Sequence, residues 1–216
     1  MEIGAHDGIF LSNTRWLEQC FGWRGILVEG SPHNYKALLR SRRDASAKIH
    51  AAASCHEPAT VNFTDDRLLA KLGLSGVPQH LDLLHGSKAA SRGGISRVIA
   101  QQRYQTVAVP CRSVATIMHE THSYVDFFSL DTEGAEAQVL ATANPSLFGV
   151  VKVETGYGHN GKEYSEKDRE VARLLEAAGM RRVKALTHGE RGRDHVFASQ
   201  SVLRRCARGG VEEMRV

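Results

Sequence analysis

Short apolar runs of strand length alternate along this chain with stretches of helical period, and no other feature of the sequence narrows the possible folds so far. A strand covered on both faces reads as a continuous run of Val, Ile, Leu and Phe, whereas a helix laid over it repeats its apolar residues every three to four positions. Glu2 to Gly4 reads as the end of a first strand. Ser12 to Phe21 reads as a helix with Trp16, Leu17, Cys20 and Phe21 on one side, stopped by Gly22, and Gly25 to Glu29 as a second strand. Pro32 opens a second helix carrying Tyr35, Leu38 and Leu39, Lys48 to Ser54 is a third strand, and Val61 to Phe63 a short one. Further on come the strand Val107 to Cys111, a helix from Ser113 to His119, the strand Val125 to Asp131 and a helix from Ala135 to Thr142. The strand Val150 to Glu154 and a helix from Glu166 to Ala178 follow, and Arg181 to Leu186 with His195 to Ser199 closes the sheet as a hairpin. The chain is therefore expected to be α/β: a Rossmann-like, doubly wound, mostly parallel seven-strand sheet with helices on both faces.

At 216 residues the length suits a single domain over residues 1 to 216. Between 64 and 105 the pattern is broken by Gly73, Gly76, Gly86, Gly93 and Gly94, and reads as an insertion lying over the site. The longest apolar runs, Val125 to Leu130 and Gly149 to Val153, fall far short of the roughly 20 residues of a membrane-spanning helix. No secretory leader is visible after Met1, so a cytoplasmic location is expected. Cys20, Cys55, Cys111 and Cys206 form no Cys-x-x-Cys pair, which argues against a zinc or redox motif and for buried free thiols. The net charge of +4 gathers at Arg40, Arg42 and Arg43, at Arg181, Arg182 and Lys184, and at Arg204, Arg205 and Arg208. Acids are interspersed and no aromatic residues interleave, so these read as solvated faces before a nucleic-acid surface. No pattern speaks to oligomeric state.

The segment Glu2-Ile3-Gly4-Ala5-His6-Asp7-Gly8 passes from a strand end through a glycine turn toward a helix, the arrangement that lets a backbone approach a ligand closely. Glu29 ends the second strand, 21 residues after Gly8, where a carboxylate in such folds accepts hydrogen bonds from ribose hydroxyls. The structural alternative is that Glu29 caps the Pro32 helix and the glycines merely make a tight loop. A pyrophosphate would be repelled by Glu2 and Asp7, while the ammonium and sulfonium of S-adenosylmethionine would be attracted. Methyl transfer is thereby favoured over hydride transfer.

With these residues in view, the chain resembles the FkbM family of methyltransferases. The matching stretches are residues 2 to 9 (Glu-Ile-Gly-Ala-His-Asp-Gly-Ile), 11 to 14 (Leu-Ser-Asn-Thr), 22 to 32 (Gly-Trp-Arg-Gly-Ile-Leu-Val-Glu-Gly-Ser-Pro) and 126 to 136 (Asp-Phe-Phe-Ser-Leu-Asp-Thr-Glu-Gly-Ala-Glu). Looser likeness extends to 151 to 154 and 194 to 197. The resemblance implies a class I methyltransferase fold and usually O-methylation of sugar or polyketide hydroxyls, with nitrogen methylated by some relatives. It places Glu2, Gly4, Gly8 and Glu29 at the cofactor loop and ribose positions, and Asp131 beside the methyl group. The expected cofactor contacts are Glu2, Gly4, Ala5, His6, Asp7, Gly8, Asn13, Thr14, Glu29, Gly30, Ser31 and Asp131. Family members normally carry earlier residues that complete this first strand, often with a helix before it, a departure that leaves open whether these 216 residues make the full active protein; an anchor or leader before Met1 would be invisible here.

Methyl transfer to a hydroxyl needs an aligned nucleophile and a group that takes its proton. Asp131, ending a buried strand, is the first candidate, with helix capping as its structural alternative. Glu154 ends the next strand, and His159 sits in the glycine-rich loop 156 to 161 beyond it. Glu133 and Glu136 open a helix, where the dipole alone favours acids. No metal is demanded; were magnesium to take part, Asp131, Glu133 and Glu154 would supply its oxygens. His6 is expected to shape its turn. The acceptor is expected to be a small molecule or glycan. An RNA or DNA methyltransferase is the competing enzyme, lacking here the Asn/Asp-Pro-Pro-Tyr signature where the chain has Asp131-Thr132-Glu133-Gly134. A non-catalytic binding module on the same fold is the third possibility.

Overall fold

A computed structural model describes residues 1–10, 12–44, 46–64, 106–121, 124–132, 134–154, 166–183 and 194–208. In chain order the elements are β1 (Glu2–Ile3), α1 (Arg15–Phe21), β2 (Gly25–Glu29), α2 (Pro32–Arg40), β3 (Ser46–His50), β4 (Ala59–Thr64), β5 (Thr106–Cys111) and α3 (Val114–Thr121). They continue with β6 (Val125–Leu130), α4 (Glu136–Ala141), a 3₁₀ turn at Pro145–Leu147, β7 (Phe148–Glu154), α5 (Glu166–Ala177), β8 (Arg181–Arg182), β9 (Asp194–Ala198) and α6 (Gln200–Arg208).

Seven strands form one sheet in the order β3-β2-β1-β6-β7-β9-β8. β3, β2, β1, β6 and β7 run parallel, and β9 and β8 close the edge antiparallel. The chain winds from β1 out to β3, then returns to lay β6 and β7 on the other side of β1. That reversal opens a crevice at the carboxyl ends of β1 and β6, where ligands of open α/β sheets bind.

The pleat sorts the residues into two faces. Ile3, Val28, Leu130 and Val153 join Phe128, Val151 and Phe197 in the main core, against Ile117 of α3, Val139 and Leu140 of α4, and Val171 and Leu175 of α5. Phe128 and Phe148 meet there with ring centroids 4.6 Å apart. The opposite face is more polar. In register across it stand Leu27, Glu2, Ser129 and Lys152, with only Leu27, Leu38, Ala5 and Tyr35 making an apolar cluster under α2. Met1 completes a rung of the ladder: its amino group donates to the Phe127 carbonyl at 2.7 Å, and the Ser129 N–H donates to the Met1 carbonyl at 2.9 Å.

Three local expectations change. α1 begins at Arg15 rather than Ser12, because residues 12–14 are held by Glu2, and only Leu17 of its expected apolar stripe is buried; Trp16, Cys20 and Phe21 are exposed. β3 ends at His50, and the backbone beyond it leaves the sheet, with Ala52 N–H bonded to Pro110 O and Arg112 N–H to Ala52 O. The cysteines are not four buried thiols. Cys55 and Cys111 form a disulfide, their Cα atoms brought to 5.6 Å by the pairing of Ala52 with Cys111, and Cys20 and Cys206 are exposed. The bond anchors the antiparallel β4–β5 pair, whose Phe63, Val109 and Cys111 make a small second core. The expected insertion, from 65 to 105, lies outside the described residues, as does the Lys184 to Leu186 part of the expected hairpin. Among the described residues no helix is long and apolar enough to cross a membrane.

Candidate functional site

Directly beyond the paired residues Val28, Ile3, Leu130 and Val153, the next row along the carboxyl edge consists of Glu29, Gly4, Asp131 and Glu154, with Asp194 opposite Glu154. Three carboxylates from three parallel strands thus share one edge with an exposed glycine between them. Gly4 stands at φ 81°, and a Cβ there would fall 1.7 Å from the Asp131 carbonyl oxygen, so backbone and strand end meet as closely as glycine allows.

The turn that follows is shaped by acids. Gly4 N–H and Ala5 N–H both donate to Val28 O, and Gly8 N–H closes the turn on Ala5 O at 2.8 Å. His6 sits at φ 50°, its N–H donating to Glu29 Oε2 at 2.8 Å, while Ser31 N–H donates to Glu29 Oε1 at 2.7 Å. Asp7 accepts the N–H groups of Ile9 and Phe10 at 2.8 and 2.7 Å. Burial works to raise the Asp7 pKa, but those two N–H groups and the neighbouring His6 outweigh it and hold the carboxyl below its usual value.

Glu2 was expected to meet the ligand's positive charge directly; instead it is buried beneath the next loop. It accepts from Ser12 Oγ at 2.8 Å, Asn13 N–H at 2.8 Å and Thr14 Oγ1 at 2.6 Å. The same segment meets Arg43, which sequence reasoning had placed among solvated basic residues and which is 1% exposed. Its guanidinium donates to Glu18 Oε2 at 2.6 Å, Gly8 O at 2.9 Å, Ser12 Oγ at 3.0 Å and Thr14 Oγ1 at 3.0 Å. On the far side, Lys152 Nζ holds Asn13 Oδ1 at 2.8 Å and pairs with Asp194 at 3.0 Å. Glu2, Asp7 and Glu29 therefore do not converge as three bare charges. Glu29 reaches the turn from one side, Asp7 braces its far end, and Glu2 works from below.

Ser31 is fully buried and caps α2, accepting Asn34 N–H at 3.1 Å, so its hydroxyl serves the helix. Gly30 is pressed by the small β4–β5 sheet: a Cβ on it would lie 2.6 Å from the Phe63 ring. Its carbonyl lies 3.1 Å from His50 Nε2, and His50 stacks on Tyr35 at 4.8 Å. Neither contact was visible in sequence, since Phe63 reaches Gly30 through a separate sheet.

On the acceptor side, Asp131 and Glu154 are half-buried at adjacent strand ends. Glu136, which opens α4, builds the turn before it, accepting Thr132 N–H at 3.1 Å and Gly134 N–H at 2.9 Å. Glu133 and His159 lie outside the described residues. Among the described residues no group of three His, Cys, Asp or Glu side chains is placed to hold a metal ion. A hollow of ≈ 420 Å³ lined by Trp23, Arg24, Tyr124 and Asp126 opens at the amino ends of the strands, the edge opposite this row.

A family model described as the methyltransferase FkbM domain matches residues 2–182. No curated protein and no solved structure matches the chain.

Proposed function

The chain belongs to the FkbM methyltransferase family, and from that premise we propose that it moves a methyl group from S-adenosylmethionine to a hydroxyl of a sugar or other small-molecule acceptor. The observation that carries the donor assignment is Glu29, a carboxylate at the end of β2 that is tied to the glycine turn by the His6 N–H. An acid at this place in an open α/β sheet suits two ribose hydroxyls. The turn from Gly4 to Gly8, with Gly30 beside Glu29, would hold the nucleoside and its thioether. Residues 12 to 14, fastened by Glu2 and Lys152, would border the amino-acid end. The donor, when bound, supplies an electrophilic methyl carried on a sulfonium.

The residues of the carboxyl edge then have two tasks. The Glu29, Asp131 and Glu154 row gives the crevice a negative potential that favours a cationic ligand over a pyrophosphate. Asp131, whose backbone is in contact with Gly4, would accept the acceptor's hydroxyl proton, with Glu154 or His159 as the other candidates. The Cys55–Cys111 bond supports an oxidising compartment rather than the cytoplasm first expected, since a reducing cytosol would keep both thiols free. Titration calorimetry with S-adenosylmethionine and with NAD separates methyl from hydride chemistry: tight NAD binding with no binding of the methyl donor would overturn the donor assignment. Transfer of labelled methyl across a hydroxyl panel that is unchanged in Asp131→Asn and Glu154→Gln would overturn the choice of base.

A further inference from the structure

We propose that Arg43 is a positioning residue for the amino-acid end of the methyl donor, an inference that rests on the donor assignment above. The guanidinium is buried and joins segments distant in sequence: the Gly8 carbonyl at the end of the glycine turn, the Ser12 and Thr14 hydroxyls ahead of α1, and Glu18 within α1. Glu18 in turn accepts Ser46 Oγ of β3 at 2.7 Å. Ser12 and Thr14 each receive a hydrogen bond from Arg43 and donate their own proton to Glu2 Oε2. Arg43 and Glu2 therefore form an ion pair relayed through two hydroxyls, and the relay orients both hydroxyl protons. An arginine suits this place because its planar fork serves several acceptors at once, which a lysine ammonium cannot match.

The consequence is directional. The nucleoside end of the turn is held by Glu29, through His6 and Ser31, while Arg43 reaches the turn at its last residue, Gly8. The other end, from Gly8 to Thr14, has Arg43 and Glu2 beneath it and crosses toward β7, where Asn13 meets Lys152. Loss of Arg43 would take the guanidinium away from the buried Glu2 and from Glu18 beside it and release that end alone.

The test compares S-adenosylhomocysteine with 5′-methylthioadenosine, which shares the nucleoside and thioether but lacks the amino-acid end. Calorimetry on wild type, Arg43→Met and Arg43→Lys is run well below each protein's melting temperature. Arg43→Met is expected to weaken S-adenosylhomocysteine by about tenfold or more and 5′-methylthioadenosine by about twofold at most, with Arg43→Lys between the two. Should Arg43→Met fail to fold, Ser12→Ala with Thr14→Val, which cuts the relay and keeps the guanidinium, is expected to show the same split. Equal weakening of both ligands, or no weakening of either in a folded variant, overturns the proposal. Wild-type protein that binds neither ligand overturns the donor assignment itself, and the two failures are thereby told apart.

Discussion

Replacing Glu29 by Gln keeps the side chain's shape while removing its charge and turning one acceptor oxygen into a donor. In the structure Oε2 receives His6 N–H at 2.8 Å and Oε1 receives Ser31 N–H at 2.7 Å, so whichever way the amide turns, one backbone N–H faces an NH₂ group. A buried donor left without a partner costs about 1–3 kcal/mol, which sets the expected loss of fold stability. The ribose hydroxyl on that side loses a charged acceptor as well, worth about 1.5–3 kcal/mol, or an affinity loss of about 10- to 150-fold. Titration with S-adenosylhomocysteine, run beside thermal unfolding, separates the two effects. A folded Glu29→Gln protein that binds the ligand within about twofold of wild type would refute the reasoning, leaving Glu29 as a turn-builder only.

Reduction of Cys55–Cys111 should lower unfolding free energy by about 4 kcal/mol, from a sequence separation of 56, and denaturation midpoints with and without reductant measure it; an unchanged midpoint removes the bond's stabilising role. Gly4→Ala should be far more harmful than Gly22→Ala: both place Ala at positive φ, at about 1–2 kcal/mol, but only at Gly4 does the new methyl strike a carbonyl, and equal melting temperatures would contradict this. Stability should also fall on acidification. Burial and Arg182 hold the His195 pKa below its usual 6.5 against the pull of Asp168 and Asp194, so the stability present above 6.5 is lost as pH drops through the lowered pKa. Unfolding midpoints from about pH 8 to 5 in wild type and His195→Gln measure it; the same slope in both would disprove the assignment.

The parallel strands were legible because burial on both faces demands unbroken apolar runs: Gly25–Glu29 is seen as read, and Pro32 starts α2 as expected. Glu29 was legible for a different reason, since its distance from the glycine turn is set by the length of one helix and one strand. Arg43 was not. Its partners lie 25 to 35 residues away, and a third arginine after Arg40 and Arg42 looks like surface. The hint available was that Glu2 and Glu18, both near the first strand, require a cation. α1 was misplaced because Ser12 and Thr14, ordinary helix-capping residues, are taken by a carboxylate from the strand below, a competition no local pattern records. Cys55 and Cys111 meet only after the chain has left the sheet past His50, so their pairing depends on a departure that periodicity cannot show.

The acids around the glycine turn spend most of their bonds on the chain itself. Left-handed geometry at Gly4, His6 and Gly8 is held by hydrogen bonds to Val28, Glu29 and the Ala5 carbonyl. Capture of a guest by such a rigid mould leaves little disorder to quench, so the entropy that a floppy loop would lose on closing has already been surrendered during folding. Mutations that soften the mould would accordingly loosen binding while every atom that touches the guest is still in its place.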